Sequence, residues 1–400
     1  MTADLTDAVP YFDIARPGFS IKSAEVYAAR ERSWYARTNY GLAVLRYDEV
    51  SRLARHPKLR QGSVAWPAHN GVTTGLFARW WATWLLNQEG EEHHRLRQLM
   101  NPAFSPRLVT ALVPRFRALA AELIDSFAEP GRCEFVTEFG SPYAARVIAI
   151  MLGIPETEAA AIARDSAVIG LSLGITLRED LPRIEQALAS LYGYADELIA
   201  DRRRRDRDDV VSALTRASRD TGDLSDDELR DGLVLLIFGG YDTTRNQLGL
   251  AMQTFLAHPD QWRLLAERPE LGRAAVEEVM RVNPTVTWVT REALEDFTFD
   301  GLDIAAGTTV HLFAQCAGTD PRAFGEPGFD ITAKRKPHFG FGSGIHHCIG
   351  HYVARRDMTE ALPLLARRMQ DPHIDGEASS LPDSGNTGPV RLPLAFTPAR

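Results

Sequence analysis

Near the C-terminal end, Phe341-Gly342-Ser343-Gly344-Ile345-His346-His347-Cys348-Ile349-Gly350 places three glycines, an aromatic ring, histidine and a single cysteine directly ahead of a helical pattern. A cysteine at a helix start faces unpaired backbone N–H groups and the positive end of the helix dipole, both of which favour the thiolate. Thiolate is the form that ligates a soft metal, and flanking glycines let the backbone approach a flat group closely. The other two cysteines, Cys133 and Cys316, lie far away in sequence, which argues against zinc or an iron–sulfur cluster. A lone thiolate in such a loop fits one axial bond to the metal of a planar cofactor. For an isolated cysteine, a buried structural role on a turn is the alternative.

The ten residues resemble the haem-binding loop of the cytochrome P-450 family, F-G-x-G-x-H-x-C-x-G, with every fixed position filled. The resemblance implies a mainly α protein with the cytochrome P-450 fold, a large helical region beside a small β-sheet region. It implies haem b (iron protoporphyrin IX) with Cys348 as the proximal metal ligand, Phe341 beside it, and His346 contacting a haem propionate. The cysteine ligand pushes electron density onto the iron and favours O–O cleavage.

A second stretch carries the chemistry of the opposite face. Ser225-Asp226-Asp227-Glu228 reads as a capping box opening a helix of roughly 30 residues, about 45 Å at 1.5 Å per residue, that ends near His258-Pro259. Gly239-Gly240-Tyr241-Asp242-Thr243-Thr244 interrupts its middle, and each glycine costs a helix about 1 kcal/mol. One reason to keep such a pair is a close helix–helix crossing. The string also resembles the family's oxygen-binding segment, (A/G)-G-x-(D/E)-T-(T/S). That implies a locally opened helix over the haem, with Gly239 leaving room for O2, Thr243 donating a hydrogen bond near it and Asp242 helping to deliver protons. Gly239 and Thr243, four apart, face one side.

Further residues are assigned by the same resemblance. His93 and Arg97 share a helix face over Glu91–Met100; alone they read as a solvated basic patch. As the family's H-x-x-x-R segment they bind a haem propionate, as does Arg291 at the end of the strand Val286–Arg291. An Arg fork and an imidazole suit a carboxylate. Glu278 and Arg281 match E-x-x-R, implying a buried pair tied to a third cation. Here the pattern departs: position 333 is Ala, leaving Arg335 as the nearest substitute, and Gly318-Thr319 stand where many relatives carry Asn-Arg.

The elements that must position these groups follow from the rest of the chain. A short helix is expected over Ala24–Glu31, a hairpin from Trp34–Tyr40 and Leu42–Tyr47 split at Gly41, and a helix over Asp48–His56. Periodicity is lost from Gln61 to Asn87, where Trp66, Trp80, Trp81 and Trp84 crowd together, either packing over the core or lining a substrate pocket. Helical periodicity returns over 108–200. Phe297–Thr308 reads as short strands, and a last helix runs from His351 to Met369, bent at Pro363. The tail reads as turns and a terminal hairpin, which the resemblance implies touches substrate. The reading is one catalytic unit over 1–400, with a small β-rich region from about 34–60, 285–315 and the tail.

Composition is that of a globular enzyme, with 44% hydrophobic and 24% charged residues among 400. Three scattered cysteines fit a reducing cytoplasm, and Met1–Pro10 shows no signal or anchor pattern, so neither membrane attachment nor secretion is expected. A formal charge of −8 argues against general nucleic-acid binding. The expected function is a soluble, bacterial-type monooxygenase inserting one atom of O2 into a small organic substrate, in secondary metabolism or xenobiotic oxidation. With no flavin or ferredoxin segment in the chain, electrons are expected from a separate ferredoxin-type partner, docked on a basic patch that exposes some of Arg95, Arg107, Arg355 and Arg356. A P-450 that couples aromatic C–C or C–N bonds is one alternative. A non-catalytic haem-thiolate gas sensor is another, against which Asp242-Thr243 argues, because a sensor needs no proton relay.

Overall fold

The computed structural model describes residues 9–399 except 175, 222, 223, 327 and 384; most of the N-terminal stretch Met1–Pro10 lies outside them. The fold is mainly helical, 60% of it helix. The central helix, Asp226–Leu256, runs 31 residues and is opened by the expected capping box, Ser225 and Glu228 bonding each other's backbone N–H. Its middle is buried on nearly every side, which removes the usual amphipathic stripe and marks a helix threaded through the core. Around it pack Ser141–Leu152, Ala159–Gly170 and Leu177–Arg204, while Pro106–Ala128 packs on the last helix, His351–Arg368. Pro363 lies inside that last helix, against Gly272, where a Cβ would sit 2.8 Å from its ring.

A six-stranded sheet flanks the helices in the order Tyr11–Phe12, Tyr35–Thr38, Gly41–Val44, Thr309–Phe313, Trp288–Ala293, Leu59–Gln61. The expected hairpin is there, Tyr35 opposite Val44 and Thr38 opposite Gly41. Gly41 has φ +117°, and a Cβ on it would lie 2.1 Å from the Thr309 carbonyl, so no other residue fits this turn. The tail forms two small antiparallel sheets rather than one hairpin: Ser379–Ser380 with Pro389–Arg391, and Pro393–Pro398 with Met369–Ile374 and Arg132–Glu134.

The stretch 61–87 differs from expectation. It holds a helix, Leu76–Thr83, with Phe77, Trp80 and Trp81 buried. Two turns of helix between glycine-rich breaks are too short for periodicity to show. No helix among the described residues is long and apolar enough to cross a membrane.

Candidate active site

Phe339 to His351 folds on itself. Gly342 N–H donates to the Phe339 carbonyl at 2.8 Å, Cys348 N–H to that of Phe341 at 2.9 Å and His347 N–H to that of Gly344 at 3.2 Å. Gly342 and Gly344 take φ +69° and +77°, a region glycine enters without strain. The outcome is a tight loop that presents the Cys348 sulfur to a cavity of about 680 Å³. Cys348 has exposed surface although it sits deep in the protein, because that surface faces the cavity. Cys133 and Cys316 are buried elsewhere, their thiols pushed up to about 12 chiefly by burial.

The expectation that a helix start by itself favours the Cys348 thiolate needs correction. The following helix begins only at His351, and burial raises the thiol above its ordinary range. The backbone N–H groups of Gly350 and His351 and the charges of Arg97 and Arg355 pull the other way without prevailing. A thiolate at this place requires a further cation, such as a metal.

The facing wall is the central helix. The two glycines there have separate reasons. A Cβ on Gly240 would lie 2.6 Å from Ile148, so that residue serves the helix crossing; a Cβ on Gly239 would meet nothing within 4 Å, because it faces the cavity. Thr243 also lines the cavity, its hydroxyl donating to the Gly239 carbonyl at 2.8 Å. The expected local opening is not seen: Asp226–Leu256 is continuous helix, and Thr243 is back-bonded to the preceding turn. Asp242 is off the cavity wall and 2% exposed. Burial raises its carboxyl, against the guanidinium of Arg245 and a hydrogen bond from Asn386.

His93, Arg97, His346 and Phe341 line the same cavity; Arg291 stands just behind it. Arg97 donates to the His347 carbonyl. Arg291, 4% exposed, donates to Gln61 Oε1 at 2.6 Å, to the Thr290 carbonyl at 3.1 Å and to the Ser343 carbonyl at 3.3 Å. Burial lowers Arg97 and takes Arg291 down to about 10. Among the described residues neither guanidinium has a carboxylate partner, and His93 Nε2 is buried with no hydrogen bond. A buried guanidinium, a half-buried one and an orphaned imidazole nitrogen at this end of the cavity ask for an anion. The His93 ring lies 4.4 Å from that of His346, whose Nε2 is 3.1 Å from Glu89 Oε1.

Glu89 and Gln61 were not singled out in the sequence. Burial opposes the Glu89 charge, but bonds from His346 and the Gln61 N–H outweigh it and hold the carboxyl below its usual range. Both lie in the stretch without periodicity or at its edge, so no local signal marked them. Of the four crowded tryptophans, Trp66, Trp81 and Trp84 line the cavity, while Trp80 is wholly buried against Phe238, with ring centroids 6.0 Å apart. Pocket and core readings therefore each hold for part of the group.

The E-x-x-R pair is buried and bidentate, Arg281 to Glu278 at 2.7 and 2.6 Å. Arg335 is the third cation, 3.3 Å from the same carboxylate. At Gly318 a Cβ would lie 2.2 Å from the Arg281 carbonyl, and beside it Thr319 accepts a hydrogen bond from the buried Arg30. In the expected basic patch, Arg95 is paired with Glu92 and Glu228, and Arg355 with Glu277. Arg107 is exposed and Arg356 half-buried.

A thiol-bearing loop facing a glycine and a threonine on a buried helix, beside two arginines without a carboxylate partner among the described residues and an unbonded imidazole nitrogen, is the arrangement expected of a haem-thiolate class of site. Comparisons agree. The family model described as Cytochrome P450 matches residues 170–370, which include the central helix and Cys348. Luteothin monooxygenase of Streptomyces thioluteus is 40% identical over 97% of this chain and 96% of its own. Mycinamicin IV hydroxylase/epoxidase of Micromonospora griseorubida is 34% identical over 78% and 79%. The crystal structure of CalO2 superposes with a TM-score of 0.90 at 30% identity, covering 98% of this chain and all of its own. The chain belongs to the cytochrome P450 family and is a monooxygenase acting with haem iron and O2 on an organic substrate.

Proposed function

We propose that the chain is one catalytic unit that holds haem b and inserts one oxygen atom into a small, mostly apolar organic substrate, with electrons from a ferredoxin-type partner in the cytoplasm. The observation that carries this reading is the cavity with Cys348 on one wall and Gly239 and Thr243 on the other. Cys348 Sγ would hold the iron, with Phe341 beside it. His93, Arg97, Arg291 and His346 would hold the propionates, supplying the anions those cations lack. Haem, when bound, activates O2 and transfers one oxygen atom to the substrate.

The residues of the chain do the rest. Gly239 keeps the wall open where a side chain would intrude. Thr243 Oγ1, bonded here to the Gly239 carbonyl, is the hydroxyl at the cavity that would donate toward O2, and Asp242, one residue round the helix, would supply the proton. Trp66, Trp81 and Trp84 shape the substrate side and exclude water. The relatives' names carry luteothin and mycinamicin IV, which are the first compounds to screen for the expected role in secondary metabolism. For docking, exposed Arg107 is the first candidate, ahead of the ion-paired Arg95 and Arg355; Arg107→Glu should slow reduction by an acidic ferredoxin severalfold at low salt and little at high salt.

The test combines a substrate-induced shift of the Soret band with turnover under labelled O2. One labelled oxygen atom per product is expected. Product without label would support coupling, and binding without steady turnover would support a sensor; either overturns the proposal.

A further inference from the structure

The tail of the chain reaches the acid of the central helix. Asn386 Nδ2 donates to Asp242 Oδ2 at 2.6 Å, while the helix's own donor to that oxygen, Asn246, stands at 3.3 Å. The nearest charge is Arg245, 3.8 Å from Oδ1. From the helix Ala159–Gly170 it is Gly170 that comes close: a Cβ on it would lie 2.7 Å from Oδ1.

The contact is part of a register. A Cβ on Gly388 would lie 2.6 Å from Asn246 Cβ, and one on Gly249 would lie 2.2 Å from the Pro389 ring. Asp242, Asn246 and Gly249 stand at i, i+4 and i+7, a single stripe of the helix, and residues 386, 388 and 389 lie along it. Two glycines are thus spent on close approach of tail and helix, and that approach places an amide on the carboxylate. The loop is held from behind. Thr285 Oγ1 lies 2.9 Å from Asn386 Oδ1, Thr287 N–H donates to the Gly385 carbonyl at 2.7 Å, and Asp383 accepts from Ser20 at 2.6 Å and Lys22 at 3.3 Å. Gly385 and Asn386 also line the cavity.

We propose that Asn386 is the positioning residue for Asp242, fixing on the central helix the carboxylate that supplies protons beside Thr243. This rests on the role given to Asp242 above. Without the amide the carboxylate keeps only Arg245 and the longer Asn246 contact. Burial then favours its neutral form further, and it gives up a proton less readily.

The experiment is an infrared pH titration of the ferric holoprotein, following the protonated carboxyl stretch assigned to Asp242 by its loss in Asp242→Asn. Asn386→Leu keeps the shape and removes the donor; the midpoint should rise by about one unit or more, with a larger solvent isotope effect and a severalfold larger share of reductant lost as peroxide. Asn386→His, whose Nδ1–H falls where the amide nitrogen was, should restore most of this. Thr285→Val, which frees Asn386 from behind, should act in the same direction but less, and serves if Asn386→Leu loses haem. A midpoint and peroxide share unmoved in Asn386→Leu, with Asp242→Asn impaired, would leave Asn386 a mere anchor for the tail and overturn the proposal. Asp242→Asn with ordinary turnover and coupling would instead remove the role of Asp242, and that of the tether with it.

Discussion

The two walls of the cavity solve the same problem with different materials. Each carries an acid that burial pushes up, Cys348 on one side and Asp242 on the other. The cysteine wall is local: its backbone bonds join residues no more than seven apart, and its two left-handed turns are glycines. The helix wall is regular and offers its acid only Arg245 and Asn246 from nearby; its shortest donor comes from Asn386, 144 residues on. A motif can therefore specify the first wall, whereas the second exists only once the tail has docked.

The largest break in this comparison is Cys348→Ala. It should abolish the long-wavelength band of the reduced carbon monoxide complex, while Cys133→Ala and Cys316→Ala keep it. A band surviving in Cys348→Ala would remove the sulfur from the iron.

On the other wall, Asp242→Asn should lower turnover by roughly 100-fold, the usual weight of a general acid, with haem content and the carbon monoxide band intact. Thr243→Ala should still consume reductant, with peroxide rising and product falling. If both variants also lost the band, the walls would not be separable as described.

Next come the cations that join the walls to the haem carboxylates. Arg97→Ala and Arg291→Ala should each speed haem transfer to an acceptor protein about 10–100-fold, equivalent to about 1.4–2.7 kcal/mol of a charge-assisted hydrogen bond. Unchanged rates in both would mean that these guanidinium groups serve only Gln61, Thr290, Ser343 and His347.

The smallest effect lies beneath the cysteine loop. Arg355 stands 4.3 Å over the Phe341 ring and pairs with Glu277, which also meets His338 at 3.1 Å. Burial works against the Glu277 charge, but these two partners take its carboxyl down to about 2. A depressed folded-state value means stability that is present above the unfolded carboxylate range and lost as pH falls through about 2. Glu277→Gln should cost on the order of 1 kcal/mol at neutral pH, reduced by partial exposure to solvent, and the difference from wild type should shrink progressively below about pH 4. A pH-independent difference in chemical denaturation would point to packing instead.

Within the sequence alone, Cys348 with its glycines, the capping box at Ser225 and the pairs His93/Arg97 and Glu278/Arg281 were legible, because each is a short-range pattern in which spacing alone puts groups on one face or into one turn. The length of the central helix was legible for the same reason, its cap and its terminating His258-Pro259 both being local. The reasons for Gly239 and Gly240 were not: adjacent and identical in type, they divide between a cavity and the Ile148 crossing only when another helix is in place. Nor was the back-bonded state of Thr243, the helix at Leu76–Thr83, or the commitment of Arg95 and Arg355 to carboxylates, since charge in a sequence does not name its partner. Arg335 was named as a substitute but became the third cation only in the fold, while Glu89 behind His346 and Asn386 on Asp242 came from tertiary structure alone. Each is a polar contact between distant segments, and burial, which sets its strength and its direction, is a property of the assembled core rather than of any stretch of chain.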